Sequence, residues 1–278
     1  MEKAPPIQVN HLFKVLDDKL IELLSSLTEE EWHRPTIAKL WTVKDIAAHL
    51  LDGNIRGVSI QRDRYLPGPP ANIQSYKDLI DYLNKLNADW VDTMKRASPQ
   101  MIIALLQSTS GEFMEAITSL PPYEKAMFSV AWAGEEQSDN WFHVAREYTE
   151  KFIHQQQIRD AVGKEGLITK ELFYPFIDTF MQGMPYTFRN TIADEGATVQ
   201  IRVTSDAGGE WFVTRANNKW QLSKNRVHRI SSTIVMDPGI TWKLFSKGIT
   251  PQEAKPFIAI QGNIVLAETA LNLVAVMA

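Results

Sequence analysis

Apolar residues recur at helical spacing from residue 11 to Gly163, and nothing in this part of the chain alternates as a strand would. In residues 11–27, for example, leucine and valine fall at intervals of three and four. Further helices are predicted over 43–65, 75–97, a segment that begins at Pro99, and 138–163. An irregular connection is predicted over 120–137. Four or five long helices with no strand signal favour an antiparallel helical bundle.

Polar capping residues mark the start of the 43–65 helix. Thr42 stands at the N-cap position and Asp45 at the third helical position, where an acidic side chain can bond back to the cap. Three prolines between residues 67 and 70 predict the end of this helix, because proline cannot continue the helical hydrogen-bond pattern.

The pattern changes after Gly163. Residues 197–204 alternate between apolar and polar side chains, as a strand with one buried face does. Further strands are predicted over 209–216, 219–223, 230–237 and 257–262, and helices over 169–182, after Asp237, and over the apolar segment 263–278. The sequence therefore predicts an α + (α+β) fold: a four-helix bundle in residues 1–165, followed by a small α+β domain with a mostly antiparallel sheet in residues 166–278.

The composition excludes several classes of partner and of site. The chain has 278 residues, a net charge of −4 and scattered lysines and arginines, so we do not expect a nucleic-acid partner. No apolar run approaches the roughly 20 residues that span a bilayer, so we expect no membrane partner and a cytoplasmic protein. Cysteine is absent, and a metal would therefore have to be held by His, Asp or Glu.

Ligand-type side chains are concentrated on one stripe of the 138–163 helix. This stripe, beside the apolar face, carries His143, Glu147, Glu150 and His154. Side chains three or four positions apart on a helix lie about 5–6 Å from each other, close enough to share an ion. Three interpretations are open: a solvated stripe with weak ion pairs, a buried hydrogen-bonded pair, or metal ligands. Gln157 lies near the stripe, either as a solvated side chain or as a hydrogen-bonding partner of the ligands.

A third metal ligand would have to come from another helix. His49 lies at the edge of the apolar face of the 43–65 helix, where a histidine is either a hydrogen-bonded structural residue or a ligand. If the edges of the two helices meet, His49 converges with Glu150 and His154. Two imidazoles and a carboxylate suit zinc or another divalent transition metal, and three protein ligands leave a coordination position open, as catalytic sites do.

The same residues carry a resemblance to a known family. WTVKDIAAHLLD, which begins at Trp41, is similar to a motif of the metal-binding bundle shared by the DinB-like proteins and the mycothiol-dependent maleylpyruvate isomerases, and it places the metal-binding His49 two turns into the helix. Glu150 and His154, with Asp160 a few residues on, resemble the second metal motif. DinB-like relatives more often carry a histidine at the first of these positions, so the carboxylate favours the isomerase branch.

The resemblance extends into the second half of the chain. Residues 248–277 resemble the end of the C-terminal domain of the isomerase branch, which is related to sterol-carrier folds. The resemblance implies that this domain supplies a basic residue to an acidic substrate. The candidates are Arg202, Arg215, Arg226 and Arg229.

The resemblance implies a metal-dependent enzyme. The ion is usually zinc, with nickel, iron or manganese as alternatives, and it would hold the sulfur of a low-molecular-weight thiol such as mycothiol, bacillithiol or glutathione. Metal binding lowers the pKa of a thiol, which suits cis–trans isomerisation of a small electrophile or S-transfer to it. Two alternatives stay open: a non-catalytic, metal-stabilised protein that binds a ligand or partner, and a metal-dependent hydrolase. The protein would be a monomer or a homodimer.

Overall fold

A computed structural model of the protein describes residues 6–66, 68 and 73–276. The chain divides into two compact units. The first, here called the bundle unit, consists of Val9–Glu124 and Glu150–Gly166, and the second, the sheet unit, contains Lys125–Thr149 and Leu167–Val276. One long helix therefore contributes its first part to the sheet unit and its second part to the bundle unit.

Helices dominate the bundle unit. They are α1 (Leu12–Ser25), α2 (Glu29–Trp32), α3 (Val43–Gln61), α4 (Tyr76–Met94), α5 (Pro99–Thr118) and the second part of α6 (Asn140–Val162). Leucine, isoleucine and alanine side chains of α1, α3 and α5 form a shared core with Ile158 and Val162 of α6. The long helices predicted for this region are thus confirmed, and their apolar faces meet as the helical spacing indicated.

A buried polar network fixes α6 against its neighbours. The ammonium of Lys151 on α6 donates to Asp17 Oδ1 of α1 at 3.0 Å and to Asn54 Oδ1 of α3 at 2.8 Å. Its Nζ also lies 4.5 Å from the centre of the Phe113 ring on α5. Because a buried ammonium must be paired, these contacts restrict the rotation of α6 and so the direction in which its polar stripe points.

The structure confirms the start of α3 and places its end earlier than predicted. Thr42 and Asp45 form a reciprocal capping box at the N-terminus. The helix ends at Gln61 rather than near residue 65, because the chain enters the left-handed conformation at Arg64, where φ is 56°. The prolines expected to end the helix, at positions 67, 69 and 70, lie outside the described residues.

A five-stranded sheet lies in the sheet unit. Its strands are β1 (Thr198–Val203), β2 (Gly209–Ala216), β3 (Lys219–Ser223), β4 (Ser232–Met236) and β5 (Ala259–Gly262). Their order is β3-β2-β1-β4-β5, and the neighbours are antiparallel except for β1 and β4, which are parallel. The mostly antiparallel sheet is therefore confirmed, and so is the α + (α+β) fold class.

Short and medium helices complete the sheet unit. They are the first part of α6, α7 (Lys170–Met181), α8 (Met184–Thr187), α9 (Pro238–Phe245), α10 (Pro251–Ala254) and α11 (Ile264–Ala270). The short helices α8 and α10 were not predicted, because one turn is too short to show a period. Of the helices within the described ranges, none combines the length and the apolar character that a bilayer span requires.

The closing helix is shorter than the predicted helix over 263–278. α11 ends at Ala270, and the chain continues without regular structure to Val276. Side chains 271, 273 and 275 are buried while 272 and 274 are exposed, and the Ala275 N–H donates to the carbonyl of Phe245 at 3.1 Å. This alternation belongs to an extended segment with one buried face, so the prediction of a helix over 271–276 was wrong. Residues 277 and 278 lie outside the described residues.

Candidate functional site

Two helices of the bundle unit bring the predicted ligands next to each other. α3 carries His49, and α6 carries Glu150 and His154. The centres of the two imidazole rings lie 4.6 Å apart, with their planes at 80°. Glu150 Oε2 lies 3.5 Å from His154 Nε2, one helical turn away. Side chains from distant parts of the chain therefore occupy neighbouring positions on the facing edges of α3 and α6.

The contacts of His154 define the roles of its two nitrogens. Nδ1 lies 2.9 Å from Gln157 Oε1, and because an amide oxygen can only accept a hydrogen bond, the proton is assigned to Nδ1. In that tautomer Nε2 carries the lone pair, 3.5 Å from Glu150 Oε2, and is the nitrogen that could bind a metal cation. Gln157 is buried, so it is a hydrogen-bonding partner of His154 and not a solvated side chain. Proteins commonly orient a metal-binding imidazole in this way.

His49 has an enclosed nitrogen without a partner. Its Nδ1 is buried and makes no hydrogen bond to the residues that the structure describes. Burial is the main reason why the pKa of His49 lies well below its ordinary value, and the neighbouring His154 and Arg56 side chains lower it further. The ring is therefore neutral at physiological pH and offers a lone pair rather than a charge.

Trp41 packs against both imidazoles. Its ring centre lies 4.7 Å from that of His49 and 6.2 Å from that of His154. The backbone carbonyl of Trp41 accepts hydrogen bonds from the N–H and the hydroxyl of Thr36 at 3.1 and 2.8 Å, which fixes the turn before α3. The indole therefore excludes water from one side of the histidine pair.

The donor set matches a divalent transition metal in its chemistry. Among the residues that the structure describes, however, no three His, Asp or Glu side chains are placed so that they could share one ion. The side chain of Glu150 is 30% exposed, compared with 13% for His154, so the carboxylate is the group with the greater freedom to change rotamer. The assignment of His49, Glu150 and His154 as metal ligands therefore stays a prediction.

The remaining residues of the predicted stripe belong to the sheet unit. His143 is buried, and its Nδ1 lies 3.0 Å from Arg146 Nη2 and 3.9 Å from Glu147 Oε1. His143 is therefore a buried histidine held by polar neighbours on its own helix. Asp160, which follows the second metal motif, is exposed.

The four arginines proposed to meet an acidic substrate all lie in the sheet unit. Arg202 on β1 is exposed, and its Nε lies 3.7 Å from Glu210 Oε1 on the neighbouring strand. Arg215 on β2 is partly exposed, while Arg226 and Arg229 are exposed between β3 and β4. A role for any of them in binding substrate stays a prediction.

Two residues of α3 lie on the face of His49 and were not predicted. Asp52 lies three positions after His49, and Arg56 lies seven positions after His49. Such spacings place side chains on one face of a helix. Arg56 Nε lies 2.8 Å from Asp52 Oδ2. The helical wheel could have revealed this alignment, but an acidic and a basic residue four positions apart are common on helix surfaces and gave no reason to select this pair.

Comparisons with known proteins point to one family. A family model described as "Mycothiol maleylpyruvate isomerase N-terminal domain" matches residues 13–159, more than half of the chain. Two crystal structures of a mycothiol-dependent maleylpyruvate isomerase are similar to this chain: a mutant, with 9% sequence identity, and the enzyme without that mutation, with 8%. Each match has a TM-score of 0.56 and covers 94% of this chain and 95% of the isomerase chain. At such identities the similarity shows a shared fold.

Other comparisons contribute less. The sterol carrier protein 2 like 2 of Aedes aegypti is 13% identical and covers 35% of this chain and 95% of its own, with a TM-score of 0.29, which is too low to interpret. No curated protein matches this chain.

Proposed function

Because the chain belongs to the mycothiol maleylpyruvate isomerase N-terminal family, we propose that it is a metal-dependent enzyme that uses a low-molecular-weight thiol to isomerise a small electrophile or to transfer sulfur to it. One observation carries this proposal: the imidazoles of His49 and His154 lie 4.6 Å apart, with a carboxylate oxygen of Glu150 3.5 Å from His154. Mycothiol is the first thiol to test, followed by bacillithiol and glutathione.

Three side chains would hold the ion, and others would support them. His49, Glu150 and His154 are the proposed ligands, with zinc as the first candidate. When bound, a divalent ion lowers the pKa of a thiol and keeps it as thiolate, the nucleophilic form. Gln157 fixes the ring of His154 through its hydrogen bond, and Trp41 shields the imidazoles from water. The chain contains no cysteine, so the sulfur nucleophile has to come from a separate molecule.

The two proposed reactions share a first step and differ in their stoichiometry. A thiolate adds to an activated double bond, which becomes a single bond about which the substrate can rotate. If the thiolate then leaves, the double bond re-forms in the other geometry and the thiol is recovered unchanged. If the carbanion formed by the addition instead takes up the proton that the thiol gave up, the sulfur stays on the product and one thiol is consumed in each turnover. Measuring the thiol remaining after complete conversion therefore separates isomerisation from S-transfer.

The test compares His49→Ala with His33→Ala. His33 is an exposed histidine whose contact is an ion pair with Glu29 on the surface, so its loss should leave metal content and turnover unchanged. His49→Ala should reduce the affinity for zinc by more than about a hundredfold. Mutation of a residue that only orients a metal ligand already lowers metal affinity by about ten- to hundredfold. Metal content is measured by elemental analysis, and turnover over a panel of small electrophiles with each thiol.

The outcomes of this test distinguish the proposal from its alternatives. Activity that needs both metal and thiol supports it. Activity with metal and water but no thiol indicates a hydrolase, and bound metal without turnover of any electrophile indicates a binding protein. Equal metal content in wild type and His49→Ala would contradict the ligand assignment itself.

A further inference from the structure

We infer that Arg56 is a specificity-determining residue, which binds a carboxylate of an anionic substrate beside the His49–His154 pair and is held there by Asp52. The inference rests on the proposed function and extends it by naming the charge of the substrate and the residue that recognises it. All of these residues belong to the bundle unit.

The position of Arg56 follows from the geometry of α3. Seven residues advance an α-helix by about 10 Å and return to within roughly 20° of the same face, so Arg56 follows His49 along the same edge. Side chains on a helix lean toward its N-terminus, which for Arg56 is the direction of His49. The positive charge of Arg56 is one of the causes of the low pKa of His49, which is consistent with this proximity.

Asp52 holds the inner end of the guanidinium. Arg56 Nε lies 2.8 Å from Asp52 Oδ2, and the side chain of Asp52 is 9% exposed while that of Arg56 is 41% exposed. Nε itself is enclosed and makes no well-directed hydrogen bond to the described residues, so its close contact with Asp52 is an ion pair. Asp52 thus anchors the arginine on its Nε side, while part of the arginine side chain remains accessible to a ligand from solvent. Within the described residues, the ion pair with Asp52 is the one ion pair of Arg56.

This arrangement suits a carboxylate better than an uncharged ligand. A guanidinium donates two parallel hydrogen bonds to a carboxylate from its fixed fork, and such charge-assisted bonds are about twice as strong as neutral ones. Asp52 reduces the freedom of the arginine before the ligand binds, which lowers the cost of ordering it. A small dicarboxylic electrophile could therefore place one acidic group on Arg56 and its reactive carbon near the histidine pair.

The experiment titrates the full-length protein as purified, without added metal, with maleate, a small cis-dicarboxylate, and follows binding by calorimetry. Arg56→Gln should weaken binding by about tenfold to a hundredfold, the range expected for a lost hydrogen bond between charged groups. Arg62→Gln is the matched control, because it removes the same charge next to the end of α3 from a guanidinium already paired with Asp63 and Glu112. It should change the Kd by less than about twofold.

A second variant guards against a folding defect. Arg56→Gln leaves the buried carboxylate of Asp52 without its cation, whereas Asp52→Asn combined with Arg56→Gln removes both charges and should fold normally while still binding maleate weakly. Undetectable binding of millimolar maleate to wild type, or equal Kd values in the Arg56 and Arg62 variants, overturns the inference. Failure of the proposed function would appear separately, as absent metal or absent thiol-dependent turnover, because the maleate titration requires neither added metal nor catalysis.

Discussion

The hydrogen bond between Gln157 and His154 sets which nitrogen of His154 is free to bind a cation. Gln157→Ala removes the acceptor of Nδ1, so the ring can rotate or change tautomer, and the zinc affinity should fall about tenfold to a hundredfold. Competition with a chromophoric chelator measures this affinity. Gln156→Ala is the control, because Gln156 is also a buried glutamine of α6 but its Oε1 has no partner among the described residues. An equal loss in both variants would mean that the bond to His154 is unimportant.

His143 makes the stability of the protein depend on pH. Burial lowers its pKa from 6.5 to about 4, the carboxylate of Glu147 partly offsets this, and the charge of Arg146 adds to the lowering. The unfolded chain binds a proton near pH 6.5 and the folded chain only near pH 4, so the stability present above pH 6.5 is lost as the pH falls toward 4. Lowering the pH from 7 to 5 should therefore reduce the free energy of unfolding by about 2 kcal/mol through this histidine.

The measurement is urea denaturation at both pH values, in wild type and in His143→Gln. A glutamine of similar size keeps a polar group in the buried position but does not titrate, so the variant should lose about 2 kcal/mol less than wild type on acidification. Identical losses in the two proteins would show that His143 is not protonated on unfolding in this range.

At the scale of the element, two glycines of α3 have opposite surroundings. A Cβ on Gly57 would lie 2.5 Å from Cε2 of Phe113 on α5, whereas a Cβ on Gly53 would meet nothing within 4 Å. Gly57→Ala should therefore destabilise the protein by about 1–3 kcal/mol through overpacking. Gly53→Ala should stabilise it by about 0.5–1 kcal/mol, because alanine is the better helix former. Denaturation curves of both variants test this, and equal effects would contradict the close approach of α3 and α5.

Helix boundaries show what a sequence can predict about elements and what it cannot. Caps such as Thr42 with Asp45 are local, so the start of α3 was predicted correctly. The extended segment that follows α11 depends on a contact made elsewhere, the bond from Ala275 to Phe245, which leaves no local signal. The stripe on α6 follows from spacing alone, but its meeting with His49 depends on how α3 and α6 pack.

At the scale of the whole molecule, the compact units do not follow the predicted division at residues 165 and 166. Lys125–Thr149, which includes the first part of α6, groups with the sheet rather than with the bundle. Within the sheet unit, the ring of Trp132 lies 6.1 Å from that of Phe180, and the hydroxyl of Tyr148 donates to the carbonyl of Leu172 at 2.7 Å. The sequence does not show where α6 passes from one unit to the other, because its apolar residues recur at the same helical spacing in both units.

A fragment of residues 1–165 tests whether the predicted bundle is independent. It would keep Trp132 and Tyr148 but lose Phe180 and Leu172, so side chains that are buried in the full chain would be exposed to water. We expect this fragment to bind a hydrophobic dye and to unfold with low cooperativity. The control is the full chain folded first and then cleaved at a protease site inserted after Glu165, which removes the covalent link but no contact. A fragment that unfolds cooperatively at the temperature of the full chain, without binding dye, would show instead that residues 125–149 need no partner from the sheet.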